Sequence, residues 1–516
     1  MSEERQIIEQ LTKTLELLRV ERNEKAHESS SVRGGFSSSG HELNGVEPSR
    51  SFEDYSNAYI DFTFENPTTY HVIDYASKMF EKSGFEYLSE KENWDAKLSK
   101  GSKFYTIRNG TNLSAFVVGK KWTLEKGVGV IGSHADALTA KLKPSSKKDQ
   151  VEGFGLLGVA PYGGTLNDMW FDRDLGIGGR VLYKDSDNHI KSKLINSAPH
   201  PIAKIPTLAP HFGAPAVGPF DKEDQAVPII SYASAEPDKG ITEDEKNSPL
   251  SDKHDISVLR YIAKLAGVEV KQLVQLDLDL FDVQKGVIGG ISSDFLFAPR
   301  LDDRLCTFAA VNSLVEYSQS INVEEMDTFV DVTLFDNEEI GSLSRQGAKG
   351  GLLESVVNRV SSAYFKDQDK DVDLRTLYAN SIILSADVNH MFNPNFASVY
   401  MKNHSPKPNV GVTLSLDPNV HMSTDVVGTA FVEELARLND DKVQYFQIKN
   451  NSRSGGTIGP SISSQTGARA IDLGIAQLSM HSIRAATGSK DIGLGIKFFR
   501  NFLKNWRPVY DQFEDL

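Results

Sequence analysis

Histidine and carboxylate side chains follow several strongly apolar stretches of this sequence, at the points where the chain turns polar. These candidate metal ligands and acid–base groups are His134, Asp136, Asp302, Glu338, Glu339, Asp387 and His481. Imidazole nitrogens and carboxylate oxygens are zinc ligands, and a zinc-bound water supplies hydroxide at neutral pH. The residue types therefore predict metal-assisted hydrolysis, provided that the fold brings these side chains together.

Taken one at a time, these residues have ordinary structural interpretations. His481 could be a hydrogen-bonded core histidine, and Asp302 could cap a helix. Glu338 and Glu339 could be a solvated surface pair. Neighbouring side chains in a strand or turn point in different directions, however, so two adjacent glutamates suit two different roles better than one shared clamp.

The apolar stretches that precede these residues have the length and composition of buried strands. Four of them run through residues 127–138, 328–339, 380–390 and 471–482. Helical patterns at 302–320 and 424–439 separate the last three, and 491–506 is another amphipathic helix. This alternation predicts an α/β fold with a mostly parallel sheet and helices on both faces. Because ligand sites in such sheets lie at the carboxyl ends of the strands, the polar side chains are expected to converge there.

The domain organisation follows from shifts in composition along the chain. Residues 141–290 contain many Gly and Pro turns and short strand-like pieces, which predicts an inserted, mainly β domain between two parts of the α/β domain, 51–140 and 291–516. Residues 21–50 are rich in Ser, Gly and charge, which is typical of a flexible linker.

Residues 1–20 predict a short amphipathic helix. Its apolar seam is Ile8, Leu11, Leu15 and Leu18, at the spacing of a coiled-coil contact. Such a helix could pack on its own domain. Because the linker tethers it, binding to a partner or to another copy is the favoured interpretation.

Composition excludes several classes of function. The 516-residue chain has a net charge of −14 and a pI near 5.4, so no nucleic-acid partner and no anionic membrane surface is expected. A single cysteine, Cys306, excludes an internal disulfide and a thiolate metal cage. No apolar stretch has the length of a transmembrane segment, and the N-terminal residues do not form a secretory signal.

A series of motifs in fixed order carries a family resemblance. They are His-x-Asp at 134–136, "RLDD", "DNEEIGS", "SADVNH" and "MHSIR", together with "NPTTYHVI", "TIRNGTNLSAFVVG" and "PYGGTLNDMWFDRDLGIGGRV". In these motifs the chain resembles the aspartyl aminopeptidase family of co-catalytic zinc exopeptidases over about residues 51–516. The resemblance implies a di-zinc exopeptidase fold, an inserted dimerisation domain and peptide substrates cleaved after their first residue.

Carried over by motif, the resemblance implies two zinc ions per subunit that share the Asp302 carboxylate. The first triad is His134, Asp302 and Asp387, and the second triad is Asp302, Glu339 and His481. Asp302 is chosen over Asp303 because the family ligand follows Arg-Leu directly. Asp136 would fix the ring of His134 from outside the metal sphere. Glu338 would act as the catalytic base on water and pass the proton to the leaving amine.

The predicted substrate preference rests on the lack of a positively charged residue in one stretch of the sequence. Acid-specific relatives have a lysine after the fourth ligand, whereas "PNVGVTLSLDPN" (408–419) has no cation before its "SLDPN" turn. A buried aspartate side chain needs a partner charge, so neutral N-terminal residues, leucine above all, are predicted. Gly455 and Gly456 in "RSGGTIGP" are either a plain turn or a wall of the substrate pocket. His211 in "LAPHFG" is either a surface histidine or, as the family implies, a residue that reaches a neighbouring subunit's site.

The resemblance also implies an assembly and a cellular route. It predicts a homo-oligomer, a tetrahedral dodecamer, and a zymogen whose propeptide, residues 1–20, is recognised by a selective autophagy receptor. The enzyme would be made in the cytoplasm and delivered to the vacuole lumen, with propeptide removal in the 21–50 linker.

Three rival functions remain open at this stage. They are an acid-specific aspartyl aminopeptidase, a non-catalytic scaffold that has kept the fold, and a di-zinc deacylase or carboxypeptidase. Metal analysis, together with assays on a free and an N-acetylated peptide, distinguishes the scaffold and the deacylase or carboxypeptidase from an aminopeptidase. The ratio of kcat/KM for Leu-arylamide and Asp-arylamide distinguishes the acid-specific enzyme.

Overall fold

The computed structural model describes residues 50–98, 100–233, 240–366 and 372–514. The helix predicted for residues 1–20, with its apolar seam, lies outside the described residues, as does the linker up to residue 49. The flexible linker and the propeptide therefore stay predictions from the sequence.

The described chain opens with two helices and four strands. They are α1 Phe52–Glu65, α2 Thr69–Lys82, β1 Glu86–Tyr87, β2 Ser102–Arg108, β3 Asn112–Val118 and β4 Gly129–His134. A capping box starts α1: the Asp54 backbone N–H donates to Ser51 Oγ at 3.2 Å, and the Ser51 backbone N–H donates to Asp54 Oδ2 at 2.9 Å. These two bonds satisfy donors that the first turn of a helix leaves unpaired.

The middle of the chain is mainly strand. Its elements are β5 Thr139–Lys147, β6 Phe154–Tyr162, β7 Asp174–Lys184, β8 Ile190–Asn196, β9 Ala203–Lys204, β10 Ile229–Tyr232, α3 Glu243–Lys246, α4 Ile256–Ala266 and β11 Leu273–Asp282. The strands pair antiparallel in the order β11-β5-β6-β10-β9-β7-β8, and β11 also pairs with β7. This pairing closes six strands into a barrel around its own apolar core, which leaves few edges unpaired. The barrel lies in the stretch predicted as an inserted β domain; the boundaries 141 and 290 and the dimerisation role stay predictions.

The remaining elements complete the α/β part. They are β12 Val287–Gly289, β13 Phe295–Ala298, α5 Leu301–Ser320, β14 Phe329–Phe335, α6 Leu352–Phe365, α7 Leu374–Ala379, β15 Ile382–Ala386, β16 Asn389–His390, β17 Val412–Leu416, α8 Val426–Leu438, β18 Val443–Gln447, α9 Ile458–Thr466, β19 Arg469–Gly474, β20 Ala476–Gln477, β21 Ala485–Gly488 and α10 Asp491–Tyr510.

The main sheet has its parallel strands at the centre. Its described strands run β1-β2-β3-β14-β4-β15-β19-β17-β18, and β14, β4, β15 and β19 are mutually parallel neighbours. Antiparallel pairings join β2 to β3, β3 to β14 and β17 to β19. The prediction of an α/β fold built on a mostly parallel sheet is confirmed.

Both faces of this sheet are buried. Ile131 on β4 and Leu384 on β15 belong to a core that includes α5 and α10, whereas their neighbours Val130 and Ile383 belong to a second core that includes α6 and α9. Successive side chains of a strand point to opposite faces, so this division places helices on both sides. Sheets covered on both faces need the near-continuous apolar strands that the sequence shows.

No described helix combines the length and the apolar character needed to cross a membrane. Cys306 is a buried free thiol in α5.

Candidate metal centre

Three neighbouring parallel strands deliver the first part of the site. β4 ends at His134, which stands in register with Phe335 at the end of β14. On the other side of β4, β15 ends at Ala386, directly before Asp387. Because parallel strands end at one edge of a sheet, His134, Asp387 and the residues after β14 meet there.

The first triad is assembled around His134, whose side chain is 1% exposed. Its Nε2 lies 3.4 Å from Asp302 Oδ1 and 3.5 Å from Asp387 Oδ1. One ligand atom of each of the three residues lies within 4.8 Å of the other two. The three side chains thus point at one small volume.

The second triad uses the other oxygen of Asp302. His481 Nε2 lies 3.5 Å from Asp302 Oδ2 and 3.8 Å from Glu339 Oε2. These three residues also offer ligand atoms within 4.8 Å of one another. A single carboxylate therefore faces both histidines, one with each oxygen.

The start of α5 explains how Asp302 comes to face the site. Asp302 and Asp303 have non-helical backbone angles, with φ −82° and ψ 117° at Asp302, before the regular helix begins. Asp303 is fully buried, and its Oδ2 accepts a hydrogen bond from Ser133 Oγ at 2.8 Å. Two adjacent aspartates are thus directed to different places, and Asp303 belongs to neither triad.

Glu338 and Glu339 lie in a short 3₁₀ helix, Glu338–Ile340, rather than at the tip of the strand itself. Glu338 Oε2 lies 3.8 Å from His134 Nε2, whereas Glu339 Oε2 lies beside His481. The preceding Asn337 has a φ of +60°, which turns the chain sharply after β14. The two glutamates consequently face different histidines, as their adjacency had suggested.

Asp136 anchors this turn from outside the two triads. Its Oδ1 lies 3.2 Å from His134 Nδ1, and it accepts the backbone N–H groups of Glu338 at 3.3 Å and Glu339 at 3.2 Å. Tyr162 Oη donates to Asp136 Oδ2 at 2.7 Å. Burial alone raises the pKa of Asp136, but the hydrogen bond with His134 and the charge of that ring outweigh burial and lower it.

The acids of the site crowd one another in a buried place. Burial raises the pKa of Glu338 to about 8. The charge of the nearby His134 ring lowers this pKa, whereas the carboxylates of Asp387, Asp136 and Asp302 raise it further. Burial and the Asp302 charge likewise raise the pKa of Glu339, whose Oε1 is buried without a hydrogen-bond partner among the described residues. A bound cation would offset the mutual repulsion of these carboxylates. Two histidines and three carboxylates, one of them shared, are a fitting donor set for zinc.

The end of β19 packs closely on the backbone of Asp387, which directly follows β15. Gly474, the last residue of β19, lies so near the Asp387 backbone that a Cβ atom there would come within 1.8 Å of the Asp387 carbonyl oxygen. The Asp387 backbone N–H in turn donates to the Leu473 carbonyl. A side chain at position 474 would displace Asp387.

His481 does not follow a strand of the main sheet directly. It lies between β20 and β21, with a φ of +63°, and its side chain is 57% exposed. The apolar pattern at 471–482 covers β19 and β20, which are separate strands in different sheets. His481 therefore reaches the site from a turn, at its more open side.

A cavity of about 310 Å³ opens beside the second triad. Asp302, Glu339 and His481 line one part of it, and barrel strands β5, β6 and β11 supply much of the rest. Neither Gly455, Gly456 nor His211 is among the described residues that line this cavity. The two glycines lie in an exposed loop before α9, and His211 lies exposed in the short 3₁₀ helix Pro210–Phe212. Their predicted roles stay predictions.

Further polar residues at the site were not singled out from the sequence. Tyr162, at the end of β6, hydrogen-bonds to Asp136, and Asn337 Nδ2 donates to Tyr162 Oη at 2.9 Å. Gln477 and Arg304 line the cavity. Tyr162 stands in the "PYGG" part of a quoted motif and Arg304 follows "RLDD", but nothing in the residue spacing indicates that they meet the metal ligands.

Several known proteins are similar to this chain over most of its length. The family model described as aminopeptidase I zinc metalloprotease (M18) matches residues 62–503. Vacuolar aminopeptidase 1 of Saccharomyces cerevisiae is 64% identical over 523 residues, which cover 100% of each chain. The aspartyl aminopeptidase of Aspergillus oryzae is 34% identical, with 87% of this chain and 95% of the relative covered.

A solved structure resembles the fold at high identity. The structure of the mApe1 dodecamer of Saccharomyces cerevisiae superposes with a TM-score of 0.82 at 63% identity, covering 90% of this chain and 100% of the other. The family resemblance drawn from the motifs is confirmed by the family model and by both relatives.

Proposed function

This chain belongs to the aminopeptidase I zinc metalloprotease (M18) family, and on that premise we propose that it removes neutral N-terminal residues, leucine before others, from peptides. One observation carries the proposal. Asp302 directs one oxygen toward His134 and the other toward His481, at 3.4 Å and 3.5 Å from their Nε2 atoms. That arrangement suits a carboxylate shared between two cations.

We propose that the first and second triads each hold one zinc ion, with Asp302 common to both. The donor atoms of each triad lie within 4.8 Å of one another, and the buried, unpaired Glu339 Oε1 supports a ligand role. When bound, zinc lowers the pKa of its water and polarises a carbonyl oxygen. Removal of the ions with a chelator is expected to abolish activity.

The proposed base is Glu338. It is held beside His134 by a backbone N–H bond to Asp136, and it is not part of either triad. A carboxylate at this position can accept a proton from the attacking water and deliver it to the amine that leaves. Asp136 keeps the ring of His134 in place and fixes the backbone of both glutamates.

The preference for a neutral residue rests on the stretch of chain that follows Asp387. β17, Val412–Leu416, and the turn that follows it carry no lysine or arginine, and His421 is engaged with Asp417 at 2.5 Å. The relative named a vacuolar aminopeptidase is 64% identical, whereas the relative named an aspartyl aminopeptidase is 34% identical. Both observations support release of leucine over aspartate.

We propose that the enzyme acts in the vacuole lumen after synthesis in the cytoplasm as a precursor. The match to the vacuolar relative covers the whole chain, and thus includes residues 1–50. Residues 1–20 would be bound by a selective autophagy receptor and removed within the linker. Because a similar protein forms a dodecamer, we propose the same assembly here, with the barrel forming dimer contacts and His211 reaching a neighbouring subunit.

Metal analysis and two substrates test this function. Purified protein is expected to contain two zinc ions per chain by inductively coupled plasma spectrometry, and to release the arylamine from Leu-arylamide until a chelator is added. kcat/KM for Leu-arylamide should exceed that for Asp-arylamide. A higher kcat/KM for Asp-arylamide would make the enzyme acid-specific, and a metal-free, inactive protein would make it a scaffold.

A further inference from the structure

The cavity beside the second triad is lined by buried polar groups that have no role in the proposed hydrolysis. It is lined by Gln477 and by two arginines, Arg300 and Arg304, in addition to the metal-facing residues. Its volume of about 310 Å³ lies at the lower end of the range for small-molecule sites. These polar groups indicate what kind of molecule the cavity accepts.

Gln477, one of the residues that line this cavity, has a buried and unsatisfied amide. Its side chain is 1% exposed, and neither its Nε2 nor its Oε1 has a hydrogen-bond partner among the described residues. Its backbone is held in place, since the Gln477 carbonyl accepts the Met391 N–H and β20 pairs with β16. An unpaired buried amide costs free energy, which a ligand with both a donor and an acceptor would recover.

Arg304 is a buried cation without an acidic partner at contact distance. It is 2% exposed, Nη1 donates to the Asn66 carbonyl at 2.8 Å, and Nε has no partner within the described chain. Arg300 also has an unpaired Nε, and its other donors bond to the carbonyls of Thr63 and Asp282. Neither arginine forms an ion pair with a described carboxylate within 4 Å.

Three of the acids on the cavity walls, Asp277, Asp279 and Asp282, have cations of their own. Lys141 Nζ lies 2.9 Å from Asp279 and 3.2 Å from Asp277, and Arg173 pairs with Asp282. Among the described lining residues, Arg300 and Arg304 have no carboxylate within 4 Å, and the acids Asp302, Asp336 and Glu339 have no lysine or arginine at that distance. Arginine binds carboxylates well because its planar donors match two carboxylate oxygens.

We propose that this cavity is the subsite for the residue that follows the scissile bond, with Arg304 and Gln477 binding the free α-carboxylate and amide of a short peptide. This inference rests on the proposed function, and it assigns short peptides with a free C-terminus, dipeptides first, as preferred substrates. Leu138, Trp170 and Ile483 provide apolar surface for the side chain of that residue. Longer peptides and amidated peptides lose the contact between carboxylate and arginine.

The unmodified enzyme provides the first test. kcat/KM is measured for Leu-Gly, for its C-terminal amide Leu-Gly-NH₂ and for Leu-arylamide, with the zinc-loaded, assembled full-length protein. At least a tenfold preference for Leu-Gly over Leu-Gly-NH₂ is expected, since a charge-assisted bond to arginine is lost with the carboxylate. Equal values for the acid and the amide, with all three substrates cleaved, overturn the subsite and leave the aminopeptidase function intact. Failure to cleave any of the three overturns both.

A variant that adds a negative charge provides the second test. Gln477→Glu places an acid beside the expected carboxylate position, so the ratio of kcat/KM between Leu-Gly and Leu-Gly-NH₂ is expected to fall to one or below. Gln512→Glu, an exposed glutamine of the C-terminal segment, is the matched control and should keep the ratio of the unmodified enzyme. Zinc content and sedimentation of both variants establish that the fold and assembly are retained. An unchanged ratio in Gln477→Glu overturns the assignment.

Discussion

At the scale of single residues, adjacent acids reach different neighbours because the backbone turns their side chains in different directions. Glu338 and Glu339 share a short turn whose N–H groups are both held by Asp136, yet one faces His134 and the other His481. Asp302 and Asp303 diverge in the same way at the start of α5. In each pair, the backbone conformation decides which of the two acids faces which partner.

Replacing Glu338 by glutamine is expected to remove the base and keep the metal. Glutamine has the same shape but cannot accept the proton, so kcat on Leu-arylamide should fall by about 100- to 10,000-fold. Zinc content should stay at the unmodified level, because Glu338 belongs to neither triad. Glu325→Gln, at an exposed position, serves as the control. Retention of full kcat would remove Glu338 from the mechanism.

A second residue-scale prediction concerns stability, at a place remote from the metals. Asp331 is fully buried in β14, and burial raises its pKa to about 7, although hydrogen bonds from Ser114 and Thr333 lower it. Between about pH 4 and pH 7 the unfolded chain therefore ionises this carboxyl while the folded chain keeps the proton. Folding stability contributed by this group is lost as the pH rises through that window, and the loss is complete above it.

Asp331→Asn is consequently expected to stabilise the protein at neutral pH, because asparagine keeps the hydrogen bonds and never ionises. The gain in Tm over the unmodified protein should be near zero at pH 4 and grow to several degrees at pH 7.5, as followed by differential scanning fluorimetry. Asp252→Asn, at an exposed position, should give no such trend. A gain that is independent of pH would contradict the assigned cause.

At the scale of elements, a barrel strand helps to orient side chains at the edge of the main sheet. Tyr162 ends barrel strand β6, and its hydroxyl donates to Asp136, which in turn holds His134 and the turn after β14. The barrel therefore contributes directly to the order of the metal centre. The hydrogen bond from Tyr162 to Asp136 thus links the barrel to the main sheet, although each of the two has a hydrophobic core of its own.

Tyr162→Phe is expected to loosen Asp136 while leaving the aromatic packing intact. Zinc retention against a competing chelator should weaken by about 10- to 100-fold, as for other groups that orient metal-binding histidines, and kcat on Leu-arylamide should decline with it. Tyr232→Phe, on strand β10 of the same barrel and largely exposed, is the matched control. If zinc retention does not change, the hydroxyl has no orienting role.

At the scale of the whole molecule, the catalytic unit and the predicted address are separate parts of the chain. The two triads of the proposed metal centre lie between residues 134 and 481, whereas the predicted targeting seam lies in residues 1–20, outside the described structure. Catalysis and delivery should therefore respond to different substitutions.

Leu11→Asp is expected to abolish delivery to the vacuole and to leave Leu-arylamide hydrolysis by the purified protein unchanged. The charge interrupts the apolar seam, whose contacts with a receptor or with another copy depend on burial. Fluorescence microscopy of the tagged protein in yeast measures delivery, and Gln10→Asp, off the seam, controls for the added charge. Normal delivery of Leu11→Asp would show that this seam is not the signal.

The sequence by itself determined the α/β class, the inserted β stretch and the order of the candidate ligands. The spacing of apolar residues and the polar residues that follow each strand are local properties of the sequence. The motifs around His134, Asp302 and Glu339 can likewise be recognised without coordinates. Helix α5 at Leu301–Ser320 and helix α8 at Val426–Leu438 lie where the patterns at 302–320 and 424–439 predicted them.

Only the tertiary structure decided which atoms meet. The division of Asp302 between two histidines, the bond from Tyr162 to Asp136 and the joint placement of Arg304 and Gln477 in one cavity join residues far apart in the chain. Barrel closure by β11 and β7, and the turn that carries His481, likewise have no local signal. Side-chain direction at such places is set by packing among distant strands and by backbone angles after each strand ends, and neither is encoded in residue spacing.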